Sequence, residues 1–251
     1  MVMEETGLGL EGRLAIVVGA AQGIGAAVAK RLAHLGMDLI CADRQDCTAT
    51  ADACGDRASA HLVDLSQPDS ISGLIEHARS RGKLFGLVNC AGLLVRTPFE
   101  VVDEAVMQRE IAVNQTGVFY LTRAALAEIQ AGGAGGRIVL FTSQGAFTGG
   151  FFGSTTYAMT KAAVGALVKS LARMGAPDAI TVNAVAPGGV DTPMLRGGMS
   201  EDDLDSFRQR IPMNRFAQPD ELGGVCAFLM SDWSGYITGS TLHVNGGQYM
   251  P

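Results

Sequence analysis

Tyr157 and Lys161 stand four residues apart in a stretch of helical periodicity, so both fall on one helix face, one turn from each other. An ammonium beside a phenol favours the phenolate and lowers the phenol's pKa. Free tyrosine titrates near about 10, so such a neighbour is a means of moving a proton at neutral pH. Taken alone, Tyr-x-x-x-Lys also arises by chance as a surface pair. Fourteen residues before Tyr157, Ser143 follows a strand-like run, at the kind of strand end where open α/β sheets place their ligands. Its hydroxyl there would hold a substrate oxygen while the phenol moves the proton. No Gly-x-Ser-x-Gly surrounds Ser143, which argues against a serine nucleophile.

A second constellation opens the chain. Gly19-Ala20-Ala21-Gln22-Gly23-Ile24-Gly25 directly follows the apolar run Leu14–Val18. Missing side chains let the turn be tight and let a pyrophosphate reach backbone N–H groups at the start of a helix. Elsewhere the same residues would make an ordinary glycine-rich turn; after a first strand they point to a dinucleotide. Asp43 lies eighteen residues past Gly25, at the end of the second strand-like run. A carboxylate there accepts hydrogen bonds from the adenosine ribose hydroxyls and repels a 2′-phosphate. Arg44 beside it is a potential partner for that phosphate, but Asp43 holds the closer position, so NAD is expected over NADP. The plainer alternative for Asp43 is a solvated charge at a strand end.

Positioning these residues requires strands that end beside them. Seven runs qualify: Leu14–Val18, Asp38–Ala42, Ala58–Val63, Leu84–Asn89, Arg137–Thr142, Ile180–Val185 and Thr241–Val244. Several are continuously apolar, as strands covered on both faces are. Helices are expected at Gly23–Leu35, Pro68–Arg81, Glu100–Gln130 with an interruption, Thr155–Met174 and Pro219–Met230. Strand–helix alternation predicts an α/β fold: a doubly wound, parallel, seven-stranded sheet with helices on both faces, in one domain. Residues 1–10 read as an N-terminal tail. Thr192–Pro212 reads as one long irregular stretch, of the sort that covers a substrate.

With 47% hydrophobic and 18% charged residues, the 251-residue chain is not intrinsically disordered. A net charge of −6 disfavours nucleic acid and anionic membranes as partners. The five cysteines form no CxxC pair and the four histidines are scattered, so neither a metal site nor a disulfide framework is expected. Met1-Val2-Met3-Glu4-Glu5 offers no basic leader, and a cytoplasmic location is expected.

From residue 10 to 250 the chain resembles the short-chain dehydrogenase/reductase family, with the family's motifs in the family's order. Val18 through Gly25 is similar to its cofactor glycine motif, with Val18 where Thr is usual. Asp64 in Val63-Asp64-Leu65 resembles the residue at the adenine ring. Asn89-Cys90-Ala91-Gly92 is similar to Asn-Asn-Ala-Gly, with Cys90 replacing an Asn. Asn114 resembles the helix asparagine of a proton relay, and Ser143, Tyr157 and Lys161 match the catalytic three. Pro187-Gly188-Gly189-Val190-Asp191-Thr192 resembles the segment at the nicotinamide amide.

The resemblance implies a Rossmann-like fold, a homotetramer and hydride transfer between NAD(H) and a secondary alcohol or ketone. Tyr157 would take the alcohol proton, Ser143 would orient the oxygen, Lys161 would hold the nicotinamide ribose, and Asn114 would link Lys161 to solvent. Substrate-facing positions are expected at Ser143, Gln144, Phe151, Phe152 and Met194, in segments that also bring Phe147, Leu195, Met199 and Phe207. That apolar, aromatic set suits a cyclic or aryl-substituted small molecule. Two alternatives remain: an NADPH-dependent 3-oxoacyl-carrier-protein reductase, and a non-catalytic NAD-binding regulator.

Overall fold

The seven strand-like runs become the strands β1 (Leu14–Val18), β2 (Asp38–Asp43), β3 (Ala58–Leu62), β4 (Leu84–Asn89), β5 (Gly136–Phe141), β6 (Ile180–Pro187) and β7 (Thr241–Val244). The computed structural model describes residues 7–251. All strand pairings are parallel, in the order β3-β2-β1-β4-β5-β6-β7. β1, β4, β5 and β6 are buried at every position, which is why they read as unbroken apolar runs. The helices are α1 (Gly23–His34), α2 (Thr48–Cys54), α3 (Pro68–Arg81), α4 (Glu104–Ile111), α5 (Val118–Gly132), α6 (Gly145–Thr148), α7 (Thr155–Gly175), α8 (Pro193–Arg196), α9 (Glu201–Gln209) and α10 (Pro219–Met230).

Adjacent strand residues point to opposite faces, and each face has its own core. On one side Ile16, Leu87 and Ile138 meet Leu74 of α3, Leu121 of α5 and Val168 of α7. On the other Val17, Val88 and Val139 meet Val28 and Leu32 of α1 and Leu222 of α10. Connections leave β1 and β4 in opposite directions along the sheet, so a crevice opens beyond the carboxyl ends of these two neighbours. Among the described residues no helix is long and apolar enough to cross a membrane.

Several expectations are corrected. Of the expected tail, residues 1–6 lie outside the described residues, while Leu10 is buried and the Leu8 carbonyl accepts from the Asp232 N–H at 3.1 Å. The unexpected α2 is only two turns long, too short to show a periodicity; Asp46 starts it by accepting from the Thr48 N–H and hydroxyl at 2.9 and 2.6 Å. The interrupted helix over 100–130 resolves into a 3-10 turn at Phe99–Val101, α4, a π-helical turn at Ala112–Gly117, and α5. Thr192–Pro212 is not irregular. Thr192 caps α8, and Ser200 with Asp203 forms a capping box on α9.

Candidate active site

Two adjoining cavities lie in the crevice. The larger, about 540 Å³, runs along the carboxyl ends of β1, β2 and β4 and is lined by the glycine turn together with Asp43, Arg44, Asp64, Leu65, Ala91 and Gly92. Gly19, Gln22, Gly23, Ile24 and Gly25 all face it. The turn must be built from glycine: Gly19 has a φ of +85°, and a Cβ on it would come within 2.7 Å of the Ala91 nitrogen. A Cβ on Gly25 would overlap the Gly19 carbonyl. Gln22 places no side-chain cap on α1, so the first-turn N–H groups are left for a ligand. Asp43 braces the turn by accepting from Ala21 N–H and Gln45 N–H, both at 3.0 Å, which leaves lone pairs for further donors. Asp64 accepts from the Ser66 N–H and hydroxyl at 2.9 and 2.8 Å.

The smaller cavity, about 170 Å³, is lined by Ser143, Tyr157 and Lys161. Gln144, Phe151, Phe152, Met194, Pro187, Gly188, Val190 and Thr192 complete its expected walls. Ile24, Cys90, Gly92, Thr192 and Met194 belong to both cavities, which therefore meet. The Gln144 side-chain oxygen is buried there without a partner, an acceptor waiting for a donor. This orphan acceptor and the glycine cradle fit a dinucleotide whose amide end reaches the smaller cavity.

Asn89 and Asn114 line neither cavity. Asn89 Oδ1 accepts from the Ala91 N–H at 3.2 Å and so shapes the turn after β4. Asn114 sits in the π-helical turn, fully enclosed, a local form frequent at functional sites. Its Oδ1 accepts from the Leu93 N–H at 2.7 Å, and its Nδ2 donates to the Leu93 carbonyl at 2.8 Å and to Thr160 Oγ1 at 3.1 Å. The amide thus clamps residue 93 and keeps one Oδ1 lone pair free. Lys161 Nζ donates to the Phe141 carbonyl at 2.9 Å, and burial pulls its pKa down to about 8.

The expectation that Lys161 lowers the Tyr157 pKa is corrected. Burial pushes the phenol up, the Glu110 charge adds to the rise, and Arg96 is the cation that opposes it. Lys161 Nζ lies 5.6 Å from the Tyr157 ring centroid and gives one of its three N–H donors to Phe141. Phe147 is also not where it was expected. It packs against His243 and Tyr249, with ring centroids 4.7 and 5.8 Å away, outside the cavity. Phe207 does line the cavity and lies 6.0 Å from the Phe152 ring.

Three residues near the site carry no sequence motif. Thr160 receives Asn114. Glu110 is enclosed, with Oε1 accepting from the Val95 N–H at 2.8 Å and Oε2 unpartnered. Arg96 lines the smaller cavity, and its only sequence signal is a cation in the otherwise uncharged run from residue 91 to 99.

Residues 19–248 match the family model described as Enoyl-(Acyl carrier protein) reductase. Oxidoreductase UcpA of Escherichia coli (strain K12) is 37% identical over 257 residues, covering 96% of this chain and 96% of that protein. The 3-oxoacyl-[acyl-carrier-protein] reductase FabG of the same strain is 34% identical, covering 97% and 100%. Cis-4-hydroxycyclohexanecarboxylate dehydrogenase of Sinomonas cyclohexanicum is 35% identical, covering 94% and 96%. Among solved structures, a short-chain type dehydrogenase/reductase from Mycobacterium marinum superposes with a TM-score of 0.88 at 29% identity, covering 97% and 98%.

Proposed function

The chain belongs to the short-chain dehydrogenase/reductase family, and on that premise we propose that it is an NAD-dependent dehydrogenase of a ring-bearing secondary alcohol. The observation that carries this reading is the convergence of Ser143, Tyr157 and Lys161 on one cavity that opens into a dinucleotide cleft. Ser143 holds the substrate oxygen. Tyr157 Oη takes the hydroxyl proton as the carbon–hydrogen bond breaks. The ammonium of Lys161 grips the ribose nearest the reacting carbon with the two N–H donors it does not give to Phe141. Asn114 holds Leu93 at the dinucleotide cleft and, through the remaining lone pair of Oδ1, links Lys161 to solvent by way of water. The nicotinamide cofactor, when bound, supplies the hydride acceptor.

Asp43 supports NAD as that cofactor, since its remaining lone pairs lie at the cleft and its charge repels a 2′-phosphate. Phe151, Phe152 and Phe207 support a ring in the substrate, and the Sinomonas relative is named for a ring alcohol. The enzyme acts in the cytoplasm as a homotetramer in this reading. A second reading, an NADPH-dependent 3-oxoacyl-carrier-protein reductase, is favoured by the similarity to the E. coli reductase and by Arg44 at the cleft. Against it stand Asp43, the −6 net charge, which repels an acidic carrier, and the absence of basic residues from Glu128 to Gly133. A non-catalytic regulator would have no use for the proton-moving group at all.

Cofactor preference separates the readings. NAD⁺ should exceed NADP⁺ in kcat/KM by about tenfold or more, equivalent to about 1.4 kcal/mol, and Asp43→Ala with Arg44 retained should narrow the gap. A preference for NADP(H) in the unmutated enzyme would transfer the assignment to the reductase.

A further inference from the structure

Arg96 carries a positive charge into the wall of the substrate cavity, alongside Ser143 and Tyr157. Its donors reach only backbone carbonyls: Nε to Gly197 at 2.9 Å, Nη1 to Phe152 at 3.3 Å and Nη2 to Leu195 at 3.3 Å. A guanidinium has five N–H donors, so one remains on each terminal nitrogen. Eight other arginines are ion-paired among the described residues, and Arg96 is not. Asp203, whose field reaches Arg96, is held in its own helix cap by Ser200 at 2.7 Å. The neighbouring walls are apolar: Leu94, Phe152, Leu195 and Phe207.

A cation half-buried among apolar groups without a carboxylate in direct contact is disfavoured. Neutral donors would serve as well to tie three carbonyls together, so the clamp alone does not account for a guanidinium. We propose that the ring alcohol also bears a carboxylate, and that Arg96 receives it through the two unspent N–H groups. The pairing of a planar fork with a carboxylate gives both affinity and orientation, and in an apolar cavity it is weakly screened. With the carboxylate held at Arg96, the ring lies along Phe152 and Phe207 and the carbinol is presented to Tyr157. This rests on the dehydrogenase reading above.

The test compares ring-hydroxylated cyclohexanecarboxylates with their methyl esters and with cyclohexanol, using NAD⁺ and the unmutated enzyme. The acids should exceed the esters in kcat/KM by about ten- to a hundredfold, mostly through KM. Cyclohexanecarboxylate should inhibit competitively and cyclohexanecarboxamide should not. Arg96→Met should bring the acid-to-ester ratio to about one, and Arg96→Lys should keep part of it. If Arg96→Met does not fold, the unmutated comparison and the inhibition pair decide. Esters turned over as well as acids, or an Arg96→Met variant that loses both equally, would overturn the carboxylate and reduce Arg96 to a clamp, with the dehydrogenase reading intact. No turnover of any ring alcohol would remove the dehydrogenase reading and the carboxylate together.

Discussion

Lys161 is 2% exposed, and its ammonium titrates near 8 because of that enclosure. In the unfolded chain lysine titrates near about 10.4, so the unfolded state holds the proton more tightly. Folding therefore bears a penalty of roughly 3 kcal/mol below pH 8, which fades as the pH rises toward about 10.4. Lys161→Met removes the charge at the cost of leaving the Phe141 carbonyl unpartnered. The cofactor-free variant should be more stable than the parent by about 1–2 kcal/mol at pH 7, with the gain narrowing toward pH 10. Urea unfolding at both pH values measures this, and a destabilised variant at pH 7 would contradict it. Tyr157→Phe should abolish turnover and leave NADH binding nearly intact, whereas Lys161→Ala should damage both, as fluorescence titration beside steady-state assays would separate. Glu110 raises the Tyr157 pKa, so Glu110→Gln should move the acid limb of kcat/KM to lower pH by about half a unit, while still accepting from the Val95 N–H. The glycines, Asp43, Ser143, Tyr157 and Lys161 were legible because short spacings and strand ends mark them. Arg96 was not: its partners Leu195 and Gly197 lie 99 and 101 residues away, and no local pattern encodes such a contact.

At the scale of elements, the strands were legible to within one or two residues, and in β1, β4, β5 and β6 burial on both faces is what makes them so. Short polar helices were not, because α2 and α9 are defined by Asp46 and Ser200 at their starts rather than by an apolar stripe. The segment before α7 shows a local conflict of another kind. Phe152 adopts a φ of 52°, a left-handed conformation that is costly for a bulky side chain, while its carbonyl accepts from Arg96. The ring lies 6.0 Å from that of Phe207. Phe152→Ala should raise KM for a ring-bearing alcohol about tenfold, equivalent to about 1.4 kcal/mol of lost contact, with a smaller effect on kcat. An unchanged KM would mean that the ring packs elsewhere.

Across the whole molecule, large apolar side chains remain on the surface: Phe119 is 46% exposed, Met159 56% and Met174 61%. Phe119 borders a shallow groove with Tyr120 and Leu167, between α5 and α7. The apolar groove beside Phe119 fits burial against further copies of the chain. Light scattering at micromolar concentration should give about four times 26.1 kDa. A mass near 26.1 kDa would refute the assembly. The tetramer was an expectation of family resemblance alone, since a single chain's pattern of exposed apolar residues does not specify a symmetry.

The π-helical turn at Ala112–Gly117 has a consequence at the level of the gene. It holds one residue more than a regular helix needs, so in-frame loss of a single codon within it would heal the hydrogen-bond ladder and leave a smoother helix. Each residue contributes about 100° of rotation, so the same loss would swing α4 around α5 and carry Asn114 off the Leu93 backbone. A protein shortened in this way would lose the contact through which the turn shapes the cavity.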